Sequence, residues 1–246
     1  MRKFIIPALL GGLVLTTAAC DVLNEVANSV ITTDPNATPA LTNGEVISGL
    51  KEALTVGIQN SVNLTSITDG FLKNESIRLP FPPDALKVRD KAIELGLTAQ
   101  VEKFETTLNR AAEEATKEAL PIFRDAILNM SISDGFSILN GGDGAATKFL
   151  RDNTTTKLVD AFRPKVEAAI SKVKLTEYWN PIITKYNSVM ALTGGQKLNP
   201  DLNAYVTERA IFGLFHMVEL EENKIRKDPA ARVTELLSKV FGSIKK

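Results

Sequence analysis

The sequence predicts an all-α fold: a multi-helix, bundle-like single domain with kinked helices and one short extended proline-rich segment. Apolar residues recur at steps of three and four through most of the chain, capping residues and prolines punctuate it at helical intervals, and β-rich runs are absent. The 246 residues, 44% hydrophobic and 24% charged, suffice to bury a core.

The domain is expected to start at Thr42, where Thr42 and Glu45 have the spacing of a capping box. Behind it Val46, Leu50, Ala53, Leu54, Ile58 and Val62 fall on one helix face. IRLPFPP, residues 77–83, is the extended piece, because its prolines fit neither a helix interior nor a central strand. In LTAQVEKFETTLNRAAEEATKEA, Leu97, Val101, Phe104, Leu108, Ala111 and Ala115 step by four and three, the seam of a bundle helix. Three later helices are announced by caps: Asp143 before GAATKFLRD, Asn199-Pro200 before DLNAYVTERAIFGLFHMVELEE, and Asp228-Pro229 before AARVTELLSKVF. Pro121, Pro164 and Pro181 interrupt helical patterns and predict kinks or breaks. AIFGLFHMVEL is apolar almost all round, which places its helix at the centre of the bundle.

Ahead of the domain, Met1-Arg2-Lys3 is a basic start, FIIPALLGGLVL is an apolar run too short to span a bilayer, and TTAA puts small residues directly before Cys20. Residues 1–19 therefore read as a signal peptide. The layout resembles a bacterial lipobox, in which the chain is cut before the cysteine and both the thiol and the new N-terminus are acylated. Thr17 stands where leucine is commonest, so cleavage after Ala18 or Ala19, as in an ordinary secretory signal, is the other reading. Residues 20–41 are then the lipidated N-terminus and tether: Val22, Leu23, Val26, Ala27 and Val30 sit at helical spacing, and TTDPNATPALT follows as a linker. One acyl chain binds only marginally, whereas two or three on one residue hold firmly. Cys20 is the chain's one cysteine, so the exported domain, residues 42–246, has no disulfide to lean on and relies on packing. No apolar run beyond residue 20 reaches the roughly 20 residues of a membrane-spanning helix.

Lys+Arg and Asp+Glu each number 29, so no basic footprint marks a nucleic-acid partner. Three tyrosines and one tryptophan are too few for a carbohydrate-stacking surface. The partners expected are the membrane, through the lipid anchor, and an envelope protein or small ligand; the oligomeric state is not specified.

NGGDGAATKFL clusters glycines before a helix in the manner of a phosphate-cradling loop, but it lacks the Lys-Ser/Thr ending and a preceding strand. A helix end at Gly141-Gly142 followed by an Asp143 cap accounts for it. Arg209, His216, Glu219 and Asn223 form a polar stripe at i, i+7, i+10 and i+14. His216 and Glu219, one turn apart, have the spacing to ligate a metal or pair acid with base. His216 is the one histidine of the chain, however, and the competing reading is a buried hydrogen-bonded network around Arg209 and Glu219. Asn109, Arg110 and Glu113 flank the seam and either line a groove or make an interhelical salt bridge. Tyr178, Trp179 and Tyr186 mark either a binding surface or a core anchor. No nucleophile elbow, metalloprotease motif or dinucleotide fingerprint occurs, so no catalytic residue, metal or cofactor is assigned.

The stretches LTNGEVISGLKEALTVGI, RLPFPPDALKV, FETTLNRAAEEAT, LPIFRDAI, ILNGGDGAATKFLR, NPDLNAYVTERAIFGLF and IRKDPAARVTELLSKVFG, in order from about Leu41 to Gly242, resemble a bacterial family of exported proteins known as domain of unknown function 4197. The resemblance implies a helical, frequently lipid-anchored protein of the Gram-negative cell envelope, and it carries no catalytic residues with it. The expectation is a membrane-anchored envelope lipoprotein, on the periplasmic side or at the outer membrane, that acts as a non-catalytic binding or structural module. The alternatives are a metal-dependent or other hydrolytic enzyme using the His216/Glu219 stripe, and a carrier of lipid or a small ligand.

Overall fold

A computed structural model describes residues 41–94, 96–172, 175–199, 201–232 and 234–243. The signal segment, Cys20, most of the tether and Pro200 lie outside the described residues. In chain order the helices are α1 (Asn43–Ser66), α2 (Leu86–Glu94), α3 (Thr98–Thr116), α4 (Ala119–Leu128), α5 (Ile132–Asn140), α6 (Ala145–Lys172), α7 (Leu175–Thr193), α8 (Leu202–Lys227) and α9 (Glu235–Ser243), with 3₁₀ turns at Pro83–Ala85 and Pro229–Ala231. No strand occurs among the described residues, and the fold is all-α.

α8 is the central helix: it packs against α1, α3 and α6, and α6 packs in turn against α3, α4 and α5. α2 lies on α3, α7 on α6, and α9 on α1. The start of α1 is fixed as the sequence predicts. The Thr42 hydroxyl accepts from Glu45 N at 3.2 Å, and the Glu45 carboxylate accepts from Thr42 N at 2.8 Å. Leu50, Ala53, Leu54, Ile58 and Val62 are buried with Ile47, while Val46 is half-buried. The α3 seam buries Val101, Phe104, Leu108, Ala111 and Ala115, but Leu97 precedes the helix and is 41% exposed. Buried hydroxyls are satisfied within their own helices: Ser61, Thr65 and Thr154 each donate to the carbonyl four residues back.

The prolines act unequally. α3 ends at Thr116 and α4 restarts at Ala119, because the Pro121 ring opposes the carbonyl four residues earlier and offers no N–H to it. By contrast α6 runs through Pro164 and α7 through Pro181. In α6 the fully buried Leu158, Phe162, Val166 and Ile170 bracket the proline. Each such side chain gains roughly 1.5–3 kcal/mol on burial, and together they outweigh the ~3 kcal/mol cost of an interior proline.

The predicted caps also shift. α8 opens at Asp201, whose carboxylate accepts from Ala204 N at 2.9 Å, while Asn199 forms the turn before it by accepting from Asp201 N at 2.9 Å. Asp228 caps as expected, accepting from Ala230 N at 2.9 Å, but only a 3₁₀ turn follows. The chain breaks there because the Arg232 guanidinium folds back onto the last carbonyls of α8, donating to Ile225 O at 3.1 Å and Arg226 O at 2.9 Å.

Gly213 lets the fully buried ring of Phe71 lie directly on α8: a Cβ at this position would stand 2.6 Å from a ring carbon. Alanine would gain about 1 kcal/mol of helix propensity. Overpacking against a ring with no room to move costs roughly 1–3 kcal/mol. Gly213→Ala is therefore expected to lower the urea unfolding midpoint, and a raised midpoint would show that Phe71 is not held against the helix.

Candidate functional site

Arg209, His216, Glu219 and Asn223 lie half-buried along the outward side of α8. Phe212 and Leu220 lie between them, 51% and 48% exposed, so this helix is central without being apolar all round. The Arg209 guanidinium rests over the Phe212 ring, 4.9 Å from its centroid, and its Nε is buried without a hydrogen-bond partner. Glu219 abuts the glycine loop, with Oε1 3.4 Å from where a Gly144 Cβ would stand. No hydrogen bond or ion pair links Arg209, His216 and Glu219 to one another among the described residues. Nor do three His, Cys, Asp or Glu side chains converge there on a point fit for a metal ion.

The buried polar network lies instead on the inward side of α8, at Glu222. Its carboxylate accepts from Ala146 N at 3.0 Å, from Thr147 N at 2.9 Å and from the Thr147 hydroxyl at 2.8 Å, all at the start of α6. Arg226 Nε donates to the same carboxylate at 2.9 Å, and its guanidinium reaches Ile138 O of α5 at 2.8 Å. The N–H groups and dipole that would draw an anion to this helix start are thus taken by the chain's own glutamate. Gly142 and Gly144, with φ of +76° and +74°, turn the loop so that α6 meets Glu222. Asp143, the cap expected from sequence, pairs with Lys227 instead. Beside it an open groove of about 430 Å³ is faced by Asp134, Asp143, Lys148 and Asp152. All four are spoken for: Asp143 by Lys227, Asp134 in a capping box with Ser131, and Lys148 and Asp152 by each other at 2.5 Å.

Asn109, Arg110 and Glu113 do come together: Asn109 and Glu113 hold backbone, and Arg110 holds Glu113. The buried Asn109 amide accepts from Leu79 N and donates to Leu79 O, each at 2.8 Å, pairing with the extended segment as a neighbouring strand would. Glu113 Oε1 accepts from Phe71 N at 3.1 Å and Leu72 N at 3.3 Å. Arg110 bridges Glu113 and Asp69, at 2.6 Å to each, and Lys73 adds a 2.7 Å contact to Asp69. Asp69 has φ of +72°, a left-handed conformation that aspartate tolerates better than most side chains. The Lys73 ammonium first, then the Arg110 guanidinium, hold the Asp69 carboxyl below the usual carboxylate range. Glu113, followed by Asp69, raises Arg110 in return. The Tyr205 hydroxyl donates to Pro80 O at 3.0 Å; burial pushes its pKa up, with Arg209 opposing and Glu105 adding to the rise.

Trp179 is 4% exposed and closes an aromatic cluster, with centroids 5.2 Å from Phe104 and 5.7 Å from Phe81. Tyr186 packs half-buried against the core, and the Tyr178 side chain lies outside the described ones. Between α1, α6 and α8 a cavity of about 20 Å³, lined mainly by Leu50, Leu54, Ile58, Leu150 and Val218, has room for one water at most.

Sequence reasoning missed Glu222, Arg226 and Asp69. Glu222 and Arg226 were visible as an (i, i+4) pair, but nothing local says that the pair faces inward.

Three stability outcomes follow from this arrangement. Glu222→Ala strands Arg226 and the start of α6 and should cost about 3–5 kcal/mol, whereas Asp143→Ala, at an exposed pair, should cost under about 0.5 kcal/mol in the same denaturant titration. Asn109→Ala leaves Leu79 N–H and C=O buried and unpaired, for a loss of about 2–3 kcal/mol. The lowered Asp69 pKa stabilises the fold fully above the ordinary value near 3.9, and that contribution is lost as pH falls through the lowered value. Asp69→Asn should therefore melt below wild type at pH 7, with the gap closing under acid; a gap constant with pH would mean the ion pairs contribute nothing.

A model of the family described as "Protein of unknown function (DUF4197)" matches residues 40–242. No curated protein and no solved structure matches the chain.

Proposed function

From the premise that the chain belongs to the DUF4197 family across residues 40–242, we propose that it is an exported envelope lipoprotein, held at the membrane through Cys20, whose helical domain works as a non-catalytic binding module. The observation that carries the non-catalytic reading is the use made of the buried polar side chains. Glu222, Asn109 and Glu113, the groups whose burial would otherwise suggest chemistry, each spend their hydrogen bonds on backbone N–H groups of this chain. Anchoring is supported by Cys20, the chain's one cysteine, standing directly after the small residues that end a basic-then-apolar leader. The partner-facing residues are Arg209, Phe212 and His216. A guanidinium with no carboxylate partner among the described residues, laid over an exposed ring, offers an acidic group both charge and a flat apolar contact.

The enzyme reading rests on His216 and Glu219, which are one turn apart and not tied to each other. Two side chains are fewer than the three protein ligands of a catalytic zinc site.

Membrane fractionation tests the anchor. Wild type should sediment with membranes and carry an acyl mass increment, and Cys20→Ser should lose both; unchanged sedimentation would remove the lipoprotein reading. His216→Ala tests the rest. It should leave the metal content of the purified protein unchanged at none, whereas a stoichiometric metal in wild type that disappears in the variant would establish the enzyme or metal-site reading.

A further inference from the structure

The turn between α4 and α5 carries two of the most exposed large apolar side chains, Leu128 at 66% and Ile132 at 59%. Two cations flank it. Lys51, on the adjoining turn of α1, reaches across to donate to Leu128 O at 2.9 Å. Arg124 stands one turn before Leu128 on α4, where with Thr55 and Gln59 of α1 it lines a shallow cleft of about 130 Å³. Neither cation has a carboxylate partner among the described residues. Of the acidic groups on the same elements, Asp125 pairs with Lys157 at 3.0 Å, Asp134 caps α5 through Ser131 and Glu45 caps α1 through Thr42, while Glu52, next to Lys51 in the chain, makes no ion pair with either cation.

The position of this corner relative to the chain's entry is equally specific. Ile47 packs against Gly135 of α5, where a Cβ would meet its Cδ1 at 2.3 Å, so the first turns of α1 run alongside the corner. From Leu41, where residues 20–40 join the domain, to Lys51 is about 15 Å at the helical rise. Two exposed aliphatic side chains flanked by two cations that have no carboxylate partner among the described residues have the make-up of a surface that sits in the headgroup region of an anionic bilayer.

We propose that the α4–α5 corner rests on an anionic phospholipid surface, with Leu128 and Ile132 entering the boundary between headgroups and acyl chains and with Lys51 and Arg124 meeting lipid phosphates. This rests on the anchor reading above: the lipid on Cys20 holds the chain at the bilayer, and the corner orients the domain upon it. The opposite end of α1, and with it the outward stripe of α8, is then free to face a partner.

The acylated full chain, reconstituted into vesicles of phosphatidylethanolamine and phosphatidylglycerol, tests the proposal. With Cys20 acylated, Asn129→Cys supplies a single thiol at the corner, and Glu75→Cys supplies one beyond the far end of α1. An environment-sensitive fluorophore at position 129 should be quenched by nitroxide-labelled lipid about threefold more than at position 75. Leu128→Asp with Ile132→Asp should abolish that difference while vesicle flotation and circular dichroism stay at wild-type levels, since both positions are exposed. Equal quenching at 129 and 75 in a chain that floats overturns the docking surface and leaves the anchor standing. A chain that fails to float overturns the anchor, and this inference with it.

Discussion

One carboxylate organises the core of this protein. Glu222 is buried near the C-terminal end of α8, yet it is neither an isolated charge nor one half of a simple ion pair. It accepts from two backbone N–H groups and a hydroxyl at the start of α6, and from Arg226 one turn along its own helix. A carboxylate left alone in such a place would cost several kcal/mol. Here its lone pairs meet donors that themselves have no partner inside α6, because the first N–H groups of any helix are orphans. Arg226 then spends its remaining donors on carbonyls at the end of α5. The end of α5, the start of α6 and the C-terminal turns of α8 are thereby fixed to one another around a single side chain.

A second clamp does the same for the part of the chain that is not helical. Residues 67–82 cross from α1 to α2 without a regular element of their own, and their backbone groups need partners once α3 and α8 cover them. Asn109 answers for Leu79, Glu113 for Phe71 and Leu72, and Tyr205 for Pro80. Phe71, Ile77 and Leu79 can then enter the core almost completely, and Gly213 leaves the gap into which the Phe71 ring fits. The polar positions that look in sequence like a binding groove are the means by which an irregular segment is buried without orphaned amides.

How much of this was legible follows from the range of each interaction. Local signals read true: the Thr42–Glu45 capping box, the α3 seam from Val101 to Ala115 and the break before Pro121 each depend on residues within one or two turns. The extended run IRLPFPP was equally plain from its prolines, although Pro83 goes on to open a 3₁₀ turn. What sequence could not place was any bond whose two ends lie far apart along the chain. Asp143 had the chemistry of a cap for α6, but Glu222, more than seventy residues away, delivers a carboxylate to the same N–H groups from inside the core. Pro164 and Pro181 were expected to disturb their helices, and burial on either side of Pro164 overrides the local penalty. The stripe on α8 was visible as a period, but its separation from the charged network was not. Glu219 and Glu222, three residues apart, stand only about 60° from one another round the helix, and both reach the junction of α5 and α6: Glu219 lies against Gly144, while Glu222 enters the bundle and takes the N–H groups of Ala146 and Thr147.

That separation bears on function. A helix at the centre of a bundle normally hides its polar residues or pairs them. α8 does so with Glu222 and Arg226 on its inward side, where mispairing would be costly, and departs from it on the outward side. There Arg209 keeps a buried Nε without an acceptor and settles its charge on the face of an exposed phenylalanine. A cation–π contact at such a site contributes about 0.5–1 kcal/mol, less than a hydrogen-bonded carboxylate would. Folding alone gives no reason to prefer it. An arginine left with unspent donors beside a half-exposed ring is better suited to a group that arrives from outside, and it lies on the same helix whose other face locks the domain together. A partner seated there would press on a helix packed against α1, α3 and α6, so the surface it meets is preorganised and little ordering cost falls on this chain.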